Sequence, residues 1–371
     1  MKTFVAVMNI PSPYRLHLLG VLWRQLQARG IGFHCHFMAR GHKERPKSWL
    51  NPKIEFPHTY WRDFGVGQCH FNPGLIWSLG WHQPDYMIIG SSYDTLTGTA
   101  IAALNHKSVM CVWAEGNTKT PGQLYGFKGW FKRLVYSWFD FALVPGGEAV
   151  KYIALHQSLT RRKMPQPDVL PNIIDESKFI PKGEPRVFGA KRICLIPARF
   201  DPVKGLKEFF MALASDMLDG WEIIILGHGP EEAVTMQIIK DRGLERFVKV
   251  VHSVPYDEMP RYYVQADLML LPSIRDMNPL CVVEALHAGL PIALSCMAGN
   301  VEEAVTEGRN GWVLPVLDPV MYPQKLREVF SASAVQLAEM GRWSKEHNSQ
   351  FWNSERAVRR FLDVMLGKSE K

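Results

Sequence analysis

The sequence predicts an α/β protein of two doubly wound domains, each built on a parallel sheet. In both halves, short apolar runs alternate with amphipathic stretches, which is the pattern of βαβ units. The chain has 371 residues, more than one hydrophobic core usually supports. The charge also changes: residues 1–170 contain 19 Lys and Arg against 9 Asp and Glu, whereas the remainder contains 24 against 27. The basic first half is therefore expected to meet an anionic partner.

The composition excludes several classes of protein. With 47% hydrophobic and 21% charged residues, the chain is typical of a globular protein rather than a disordered or fibrous one. It contains no apolar run of about 18 residues, the length that a membrane-spanning helix requires. Its six cysteines form no CxxC pair, which favours unpaired thiols in a reducing compartment. We therefore expect a cytoplasmic protein.

The first domain is expected over residues 1–168. Ser12 should cap its first helix, Pro13 should occupy the first helical position, and Gly30 should end the helix. The expected strands are Phe4–Met8, Ile31–Met38, Tyr86–Ile89, Val109–Trp113 and Phe141–Val144.

The second domain is expected over residues 169–353, with a linker in the proline-rich stretch from Arg161 to Pro185. A last helix, about 354–371, carries an apolar stripe and should pack back on the first domain. The expected strands are Ile193–Ile196, Trp221–Leu226, Val248–Val251, Leu268–Leu271 and Pro291–Leu294.

The strongest local signal is the segment SIRDMNPLCVVEALHAGLPIA, residues 273–293. Asn278 is a good N-cap and Pro279 a good first residue for a helix that ends before Gly289. Free amides at such a helix start form an anion site. Asp276 precedes the helix and Glu284 lies on it, so the two carboxylates can face different hydroxyls of one ligand. The alternative is that Asp276 is only a turn residue and Glu284 only a solvated position of the helix.

Two neighbouring motifs favour a ligand. PARFDPVKG places Arg199 and Lys204 after a predicted buried strand, where two cations would clamp a diphosphate. ILGHGPEE supplies Gly227 and Gly229, a turn whose backbone a flat group can approach. Glu232 stands where GxGxxG would have its third glycine, so a nicotinamide dinucleotide site is disfavoured.

In this order, from about residue 169 to 312, the motifs resemble the donor-binding domain of retaining glycosyltransferases of family 4. That family has the GT-B architecture, in which two Rossmann-like domains face a central cleft. VLPNIIDESKF resembles the linker entering the donor domain, and VVHSVPYDEMPRYYVQADLMLLPS resembles its base-contacting strand, helix and following strand. The segment 273–293 resembles the family's two glutamates separated by seven residues. In the first half, a strand followed by NIPSPYR and a helix is similar to the opening of several members.

The resemblance implies roles in binding a nucleotide-diphosphate sugar. Glu284 would bind the ribose hydroxyls and Asp276 those of the transferred sugar. The chain departs from the family at Asp276, one methylene shorter than the usual glutamate, and at Pro279, which has no amide to offer a phosphate. The implied donor-binding residues are Arg199, Lys204, Gly227, Gly229, Met277, Asn278 and Glu284, and the implied catalytic residues are Arg199, Lys204, Asp276 and Glu115.

The first half supplies the expected acceptor side. The family usually places a polar residue, often His, after the fourth strand, and VMCVWAEGNTKT puts Glu115 at that position. This carboxylate could stabilise an oxocarbenium-like transition state or orient the acceptor. The alternative is that Glu115 caps a neighbouring helix or pairs with Lys119. The other expected acceptor-side residues are Ser12, Tyr14, Arg15 and Asn117.

No metal site is expected. The chain contains no Asp-x-Asp, the spacing with which a divalent metal holds the nucleotide diphosphate in the other major transferase architecture. His34 and His36 flank Cys35 on a predicted strand, where alternation puts the cysteine on the opposite face. We therefore expect metal-independent catalysis with no cofactor besides the donor substrate.

The segment 126–139, GFKGWFKRLVYSWF, interleaves aromatic and basic residues. One interpretation is an amphipathic helix packed on the first sheet; the other is peripheral contact with the inner face of a membrane. Nucleic-acid binding is not expected, because no recognised binding fold accompanies the charge.

The sequence thus predicts a retaining, metal-independent glycosyltransferase of the hexosyltransferase type. It would move a sugar from a nucleotide-diphosphate sugar to a saccharide or lipid-linked saccharide, in polysaccharide or glycoconjugate biosynthesis. Two alternatives stay open: a nucleotide-sugar epimerase of the same architecture, and a non-catalytic nucleotide-sugar-binding protein.

Overall fold

The computed structural model describes residues 1–41, 53–67, 69–119, 122, 124–180, 191–252 and 254–367. It contains two compact units: unit 1 is Met1–Ile173 with Ser354–Lys371, and unit 2 is Ile174–Asn353. The units divide after residue 173, where the sequence led us to expect a division after residue 168. Residues 181–185 of the expected linker and 368–371 of the expected last helix lie outside the described residues.

The described part of unit 1 contains a parallel sheet of seven strands in the order β3-β2-β1-β4-β5-β6-β7. The strands are β1 (Thr3–Met8), β2 (Gly32–Phe37), β3 (His58–Tyr60), β4 (Tyr86–Ile89), β5 (Val109–Trp113), β6 (Phe141–Val144) and β7 (Gln166–Val169). The helices are α1 (Pro13–Ala28), α2 (Pro73–Trp81), α3 (Leu96–Leu104), α4 (Gly126–Tyr136), α5 (Gly147–Ser158) and, from the end of the chain, α13 (Ser354–Gly367).

Alternation along the strands divides the unit 1 core between the two faces of the sheet. Phe4 and Ala6 of β1 pack in one cluster with α1 and with Phe361 of α13. Val5 and Val7 pack in the other cluster, with residues of α2, α3, α4 and α5. Because both faces are covered by helices, β4, β5 and β6 are apolar throughout, as is usual in parallel sheets.

The described part of unit 2 contains a parallel sheet of six strands in the order β10-β9-β8-β11-β12-β13. The strands are β8 (Arg192–Ile196), β9 (Trp221–Leu226), β10 (Val248–Val251), β11 (Leu268–Leu271), β12 (Ile292–Ser295) and β13 (Gly311–Leu314). The helices are α6 (Leu206–Ala212), α7 (Glu232–Asp241), α8 (Met259–Gln265), α9 (Leu280–His287), α10 (Val301–Ala304), α11 (Met321–Ser331) and α12 (Ala334–Glu346). The prediction of two doubly wound parallel domains is confirmed.

Two expectations about the first half need correction. The stretch from Arg161 to Pro185 is not a simple linker, because it contains β7, which pairs with β6. Ser12 does precede α1 with an extended backbone, but its side chain makes no capping hydrogen bond. Pro13 begins the helix, and Gly30 follows its end with φ +70°, as the sequence predicts.

Both sheets reverse their strand order beside the first strand: between β1 and β4 in unit 1, and between β8 and β11 in unit 2. In doubly wound sheets, ligands bind at the carboxyl edge at such a switch point. The topology therefore directs attention to the connections that follow these four strands.

Candidate functional site

Two connections meet at the switch point of unit 2, one after β8 and one after β11. A Cβ built on Gly205 would lie 2.4 Å from the carbonyl oxygen of Pro272, and Gly205 has φ +66°. The amide of Arg275 donates to the carbonyl of Val203 at 3.1 Å. Only glycine combines this φ with so close an approach, so the VKG motif serves to join the two connections.

Lys204 and Asp276 form an ion pair across these two connections. Nζ of Lys204 lies 2.5 Å from Oδ2 of Asp276, and the two side chains expose only 22% and 12% of their surface. The hydroxyl of Ser273 donates to the same carboxylate oxygen at 3.4 Å. Partial shielding from water strengthens such a pair relative to a fully exposed one. Two residues predicted from separate motifs thus lie in direct contact.

Arg199 lies beside the glycine turn that follows β9. Cβ atoms built on Gly227 and Gly229 would lie 2.3 Å from the carbonyl oxygen of Ala198 and 2.6 Å from that of Phe200. The missing side chains therefore make room for the backbone on either side of Arg199. The Arg199 guanidinium pairs with Asp201 at 2.6 Å, while 69% of the arginine side chain stays exposed and can reach an anion.

Helix α9 begins one residue later than the sequence predicts. Its first residue is Leu280, and Pro279 is the N-cap residue with an extended backbone, φ −69° and ψ 118°. The prediction of Asn278 as the N-cap was therefore wrong by one position. The carbonyl of Pro279 accepts a hydrogen bond from Nδ2 of Asn300 at 3.1 Å, which helps to hold the segment extended.

Met277 and Asn278, whose amides were predicted to bind phosphate, lie in this extended segment between Asp276 and α9. Met277 is partly exposed. Oδ1 of Asn278 is buried and finds no hydrogen-bond partner among the described residues. The carbonyl of Asp276 accepts from the amide of Gly299 at 3.1 Å, so the segment is fixed at both ends.

Glu284 is a buried carboxyl rather than a solvated helix position. Only 8% of the residue is exposed, and the hydroxyl of Tyr263 donates to Oε2 at 2.5 Å. Burial raises the pKa of Glu284 to about 7, and the Tyr263 hydrogen bond opposes this rise. The sequence analysis missed Tyr263, since nothing in the stretch RYYVQ distinguishes it from a core aromatic.

In unit 1, Glu115 follows β5 and accepts two hydrogen bonds on Oε1. Nη2 of Arg15 and Nδ2 of Asn172 both donate to it at 3.1 Å. The Arg15 guanidinium also stacks on Trp113, 3.5 Å from the ring centroid, while its Nη1 finds no hydrogen-bond partner among the described residues. The structure thus joins two of the predicted acceptor-side residues, Arg15 and Glu115, in an ion pair.

The other predicted acceptor-side residues lie around this pair. Ser12 and Asn117 are buried. Tyr14 is half-buried, and its ring centroid lies 5.7 Å from the Arg15 guanidinium. Asn172 was missed because it lies 57 residues from Glu115 in sequence and belongs to the segment VLPNIIDESKF, which was interpreted only as a linker.

The aromatic and basic segment 126–139 is divided between core and surface. Tyr136 and Phe139 are buried, and so is Lys132, one of the basic residues of this segment. Phe127 and Trp130 are exposed by 74% and 48%, with their ring centroids 5.7 Å apart. Within the described residues, every helix is too short or too polar to cross a bilayer.

The histidines of β2 lie side by side. The rings of His34 and His36 are 4.7 Å apart, and Cys35 lies buried in the core on the opposite face, as strand alternation predicts. His34 bonds Thr59 at 2.9 Å. Nδ1 of His36 accepts from Nε1 of Trp61 at 3.0 Å.

Known glycosyltransferases are similar to this chain in the part that contains the motifs of unit 2. Residues 181–346 match the family model described as Glycosyl transferases group 1; this segment lies within unit 2 and covers less than half of the chain. The amylovoran biosynthesis glycosyltransferase AmsK of Erwinia amylovora is 37% identical over 101 residues, which are 26% of this chain and 25% of that protein. The putative colanic acid biosynthesis glycosyltransferase WcaL of Salmonella typhimurium is 29% identical over 38% of this chain and 36% of its own. The chain thus spans about a quarter to a third of the length of these relatives.

The fold has counterparts among solved structures. The structure of HepE from Anabaena in complex with UDP superposes with a TM-score of 0.73 over 99% of this chain and all of that one, at 14% identity. At this identity the likeness shows the fold alone. The fold is that of the GT-B glycosyltransferases, with two Rossmann-like domains.

Proposed function

We propose that this protein is a retaining glycosyltransferase. It moves a sugar from a nucleoside-diphosphate sugar to a saccharide or lipid-linked saccharide, in the biosynthesis of a polysaccharide or glycoconjugate. The observation that carries the proposal is the Lys204–Asp276 pair at the switch point of unit 2, which places a cation for a diphosphate beside a carboxylate for sugar hydroxyls. The family match over residues 181–346 and the polysaccharide transferases among the relatives support it.

Donor binding would exchange partners at this pair. A diphosphate arriving at the carboxyl edge would compete for the Lys204 ammonium, and the Asp276 oxygen that Lys204 releases could then accept a hydrogen bond from the sugar. The exposed guanidinium of Arg199 adds a second cation. Glu284, held by Tyr263, would accept hydrogen bonds from the ribose once its carboxyl is ionised.

The chemical step needs stabilisation of two developing charges. As the bond to the diphosphate breaks, negative charge grows on the leaving oxygen, and Lys204 and Arg199 offset it; preorganised charge of this kind is usually the largest catalytic contribution. The acceptor hydroxyl would lose its proton to the departing phosphate on the same face, which retains configuration. Because two cations serve the diphosphate, catalysis would need no metal, and turnover should persist in excess EDTA. Loss of activity in EDTA that Mg²⁺ or Mn²⁺ restores would refute metal independence.

Unit 1 would hold the acceptor. Glu115 is partly exposed, its side chain at 37%, and its orientation is fixed by Arg15 and Asn172. A carboxylate held in this way can accept a hydrogen bond from an acceptor hydroxyl.

The exposed aromatics of α4 would bring the enzyme to its acceptor at the cytoplasmic face of an anionic membrane. Phe127 and Trp130 are exposed beside Lys128, a combination suited to the lipid interface. The double variant Phe127→Ser/Trp130→Ser should lose sedimentation with phosphatidylglycerol vesicles, whereas Trp77→Ser, which removes an aromatic exposed by 67% on α2, should not. Equal sedimentation of both variants would remove the membrane surface from the proposal.

The proposed reaction is tested in two steps. We take UDP as the nucleotide to test first, because it is the ligand in the structure of HepE, which shares this fold. A thermal-shift panel of nucleotide sugars then identifies the donor, since tight binding stabilises the folded state by a few kcal/mol at about 100 times Kd. The donor is then incubated with a panel of octyl glycosides, and the products are separated. A glycosylated octyl glycoside with retained configuration supports the proposal. A rearranged donor formed without any acceptor would indicate an epimerase, and binding without turnover a sensor.

A further inference from the structure

We propose that Lys132 is a positioning residue that holds the loop Glu115–Asn117 of unit 1 in place through Tyr152. The role of this loop in accepting the sugar rests on the proposed function. The positioning itself rests only on the contacts inside unit 1, so the two can be tested separately.

Lys132 occupies a cage of tyrosines. Only 8% of the residue is exposed, and Nζ lies 4.5, 5.3 and 4.7 Å from the ring centroids of Tyr93, Tyr136 and Tyr152. It donates to the hydroxyl of Tyr152 at 2.6 Å and lies 3.4 Å from that of Tyr93. Cations enclosed by aromatic faces are stabilised by the ring quadrupoles, most strongly when water is excluded.

The cage is connected to the loop by the ring of Tyr152. A Cβ built on Gly116 would lie 2.2 Å from Cε1 of Tyr152 and 2.5 Å from Cδ1, so the Gly116 backbone rests directly on that ring. Glu115 and Asn117 flank Gly116. The Lys132 hydrogen bond fixes Tyr152, and Tyr152 in turn fixes the height of the loop above the sheet.

The position in the sheet gives this contact a purpose. Tyr93 belongs to the connection that follows β4, and Gly116 to the one that follows β5. β4 borders the unit 1 switch point, where ligands bind in sheets of this kind. Through these tyrosines, Lys132 thus links two connections at the ligand-binding edge of the sheet.

A lysine is a costly choice for a buried position, because burial disfavours its charged form. Burial lowers the pKa of Lys132 to about 8, and the Asp94 carboxylate opposes this shift. The other groups that face the cage are His156, Tyr93, Tyr152 and Tyr136. Burial lowers the pKa of His156 to about 4 and raises the pKa values of Tyr93, Tyr152 and Tyr136. The Asp94 and Glu115 carboxylates add to the rise at Tyr136. Of these, Lys132 is the group that titrates just above neutral pH.

The sign of the pH effect separates positioning from stability. The unfolded chain binds the Lys132 proton more tightly than the folded protein, so this group makes folding more favourable as pH rises from about 8 to about 10.5. Positioning has the opposite trend, since the neutral amine loses its cation–π contacts over the same range. Lys132→Met should therefore leave the melting temperature at pH 7 equal or higher while loosening the loop.

Hydrogen exchange measured by mass spectrometry tests the contact directly. In Lys132→Met, the peptide that covers residues 112–118 should exchange at least about tenfold faster than in the wild type at pH 7, on the scale of losing a charged hydrogen bond. The wild type should lose the same protection, after correction for chemical exchange, as pH passes 8. Lys107→Met makes the same change at an exposed position and should match the wild type. Equal exchange in Lys132→Met and wild type would overturn the proposal.

A milder variant covers the case in which Lys132→Met does not fold. Tyr152→Phe removes only the hydroxyl that accepts the lysine's hydrogen bond, and it should loosen the same peptide by a smaller factor. Unchanged exchange in this variant, with Lys132→Met unfolded, would also overturn the proposal.

Activity then connects the loop to acceptor use. With the octyl glycoside that is turned over, Lys132→Met should raise the acceptor KM several-fold while UDP affinity, measured by calorimetry, stays unchanged. Loop loosening without any turnover of octyl glycosides in the wild type would uphold the positioning and count against the proposed function. An unchanged acceptor KM beside a loosened loop would overturn the connection between them.

Discussion

The two units place ion pairs at comparable edges of comparable sheets, but they build them differently. In unit 2, Lys204 and Asp276 come from the two connections that border the switch point, and each belongs to a dense local motif. In unit 1, Glu115 follows β5, while its partners Arg15 and Asn172 lie 100 and 57 residues away in sequence. In unit 1, the buried Lys132 also positions the loop Glu115–Asn117 through Tyr152.

We propose that the two ion pairs serve different ligands. In unit 2, a diphosphate could replace Asp276 as the partner of Lys204, and sugar hydroxyls could replace Lys204 as the partner of Asp276. Such a pair suits a charged ligand. The pair in unit 1 is fixed by stacking on Trp113 and by Asn172, so it is organised before any ligand arrives. Substitutions in unit 2 should therefore affect the donor, and substitutions in unit 1 should affect the acceptor alone.

The largest effect is expected at Lys204. Lys204→Ala removes a cation from the diphosphate and leaves Asp276 without its ion-pair partner, so kcat/KM should fall about 10²-fold or more. Lys240→Ala, at an exposed position of α7, removes the same charge elsewhere in unit 2 and should have no such effect. Steady-state kinetics on both variants decides; near-normal turnover of Lys204→Ala would remove the pair from the mechanism.

A smaller effect is expected from the titration of Glu284. Since its pKa is about 7, the ionised fraction rises about tenfold between pH 6 and pH 8, and the Kd for UDP should fall by about the same factor. Glu284→Gln should bind UDP more weakly than the wild type at pH 8, and its Kd should lack this part of the pH dependence. The pH dependence that remains in the variant comes from titration of the nucleotide itself. Identical pH profiles in calorimetry would mean that Glu284 does not contact the nucleotide.

The same group makes a prediction about stability. Burial raises the pKa of Glu284, so the folded protein holds this proton more tightly than the unfolded chain. Its stabilising contribution is present at low pH and is lost as pH rises toward about 7 and beyond. The melting temperature of Glu284→Gln minus that of the wild type should therefore be larger at pH 8 than at pH 5. A constant difference between the two proteins would contradict the raised pKa.

The smallest effect on donor binding is expected at Glu115. Glu115→Gln weakens charge-assisted bonds from Arg15 and Asn172, so transfer to an acceptor should fall by about tenfold, while UDP affinity stays unchanged. Glu55→Gln, an exposed position of unit 1, is the matched control. A loss of UDP affinity in Glu115→Gln would erase the proposed difference between the units.

The sequence predicted most of the fold because most of the strands are short, largely apolar runs. β4, β5, β6, β9, β10 and β11 have the predicted bounds. β3 and β7 were missed, since HTY and QPDV are short and polar and become strands only by pairing with β2 and β6. β13 was missed as well, because GWVL is a single short run after a glycine.

The same contrast governs the site. Lys204 and Asp276 could be found because each stands in a motif whose spacing reflects one connection of the sheet. Arg15 and Asn172 could not be identified as partners of Glu115 from local sequence, because they lie 100 and 57 residues away from it. The burial of Lys132 could not be predicted, because Tyr93 and Tyr152, two of the three tyrosines around it, lie 39 and 20 residues away in sequence.

The central claim is that Asp276 serves the sugar while Lys204 and Glu284 serve the nucleotide, and Asp276→Asn tests it most directly. Calorimetric titration with UDP should give a Kd within about threefold of the wild type, or tighter, because the variant frees the Lys204 ammonium. Transfer from the nucleotide sugar should be severely impaired in the same preparation. If Asp276→Asn instead weakened UDP binding as much as Glu284→Gln does, the separation of sugar and nucleotide sides would be wrong.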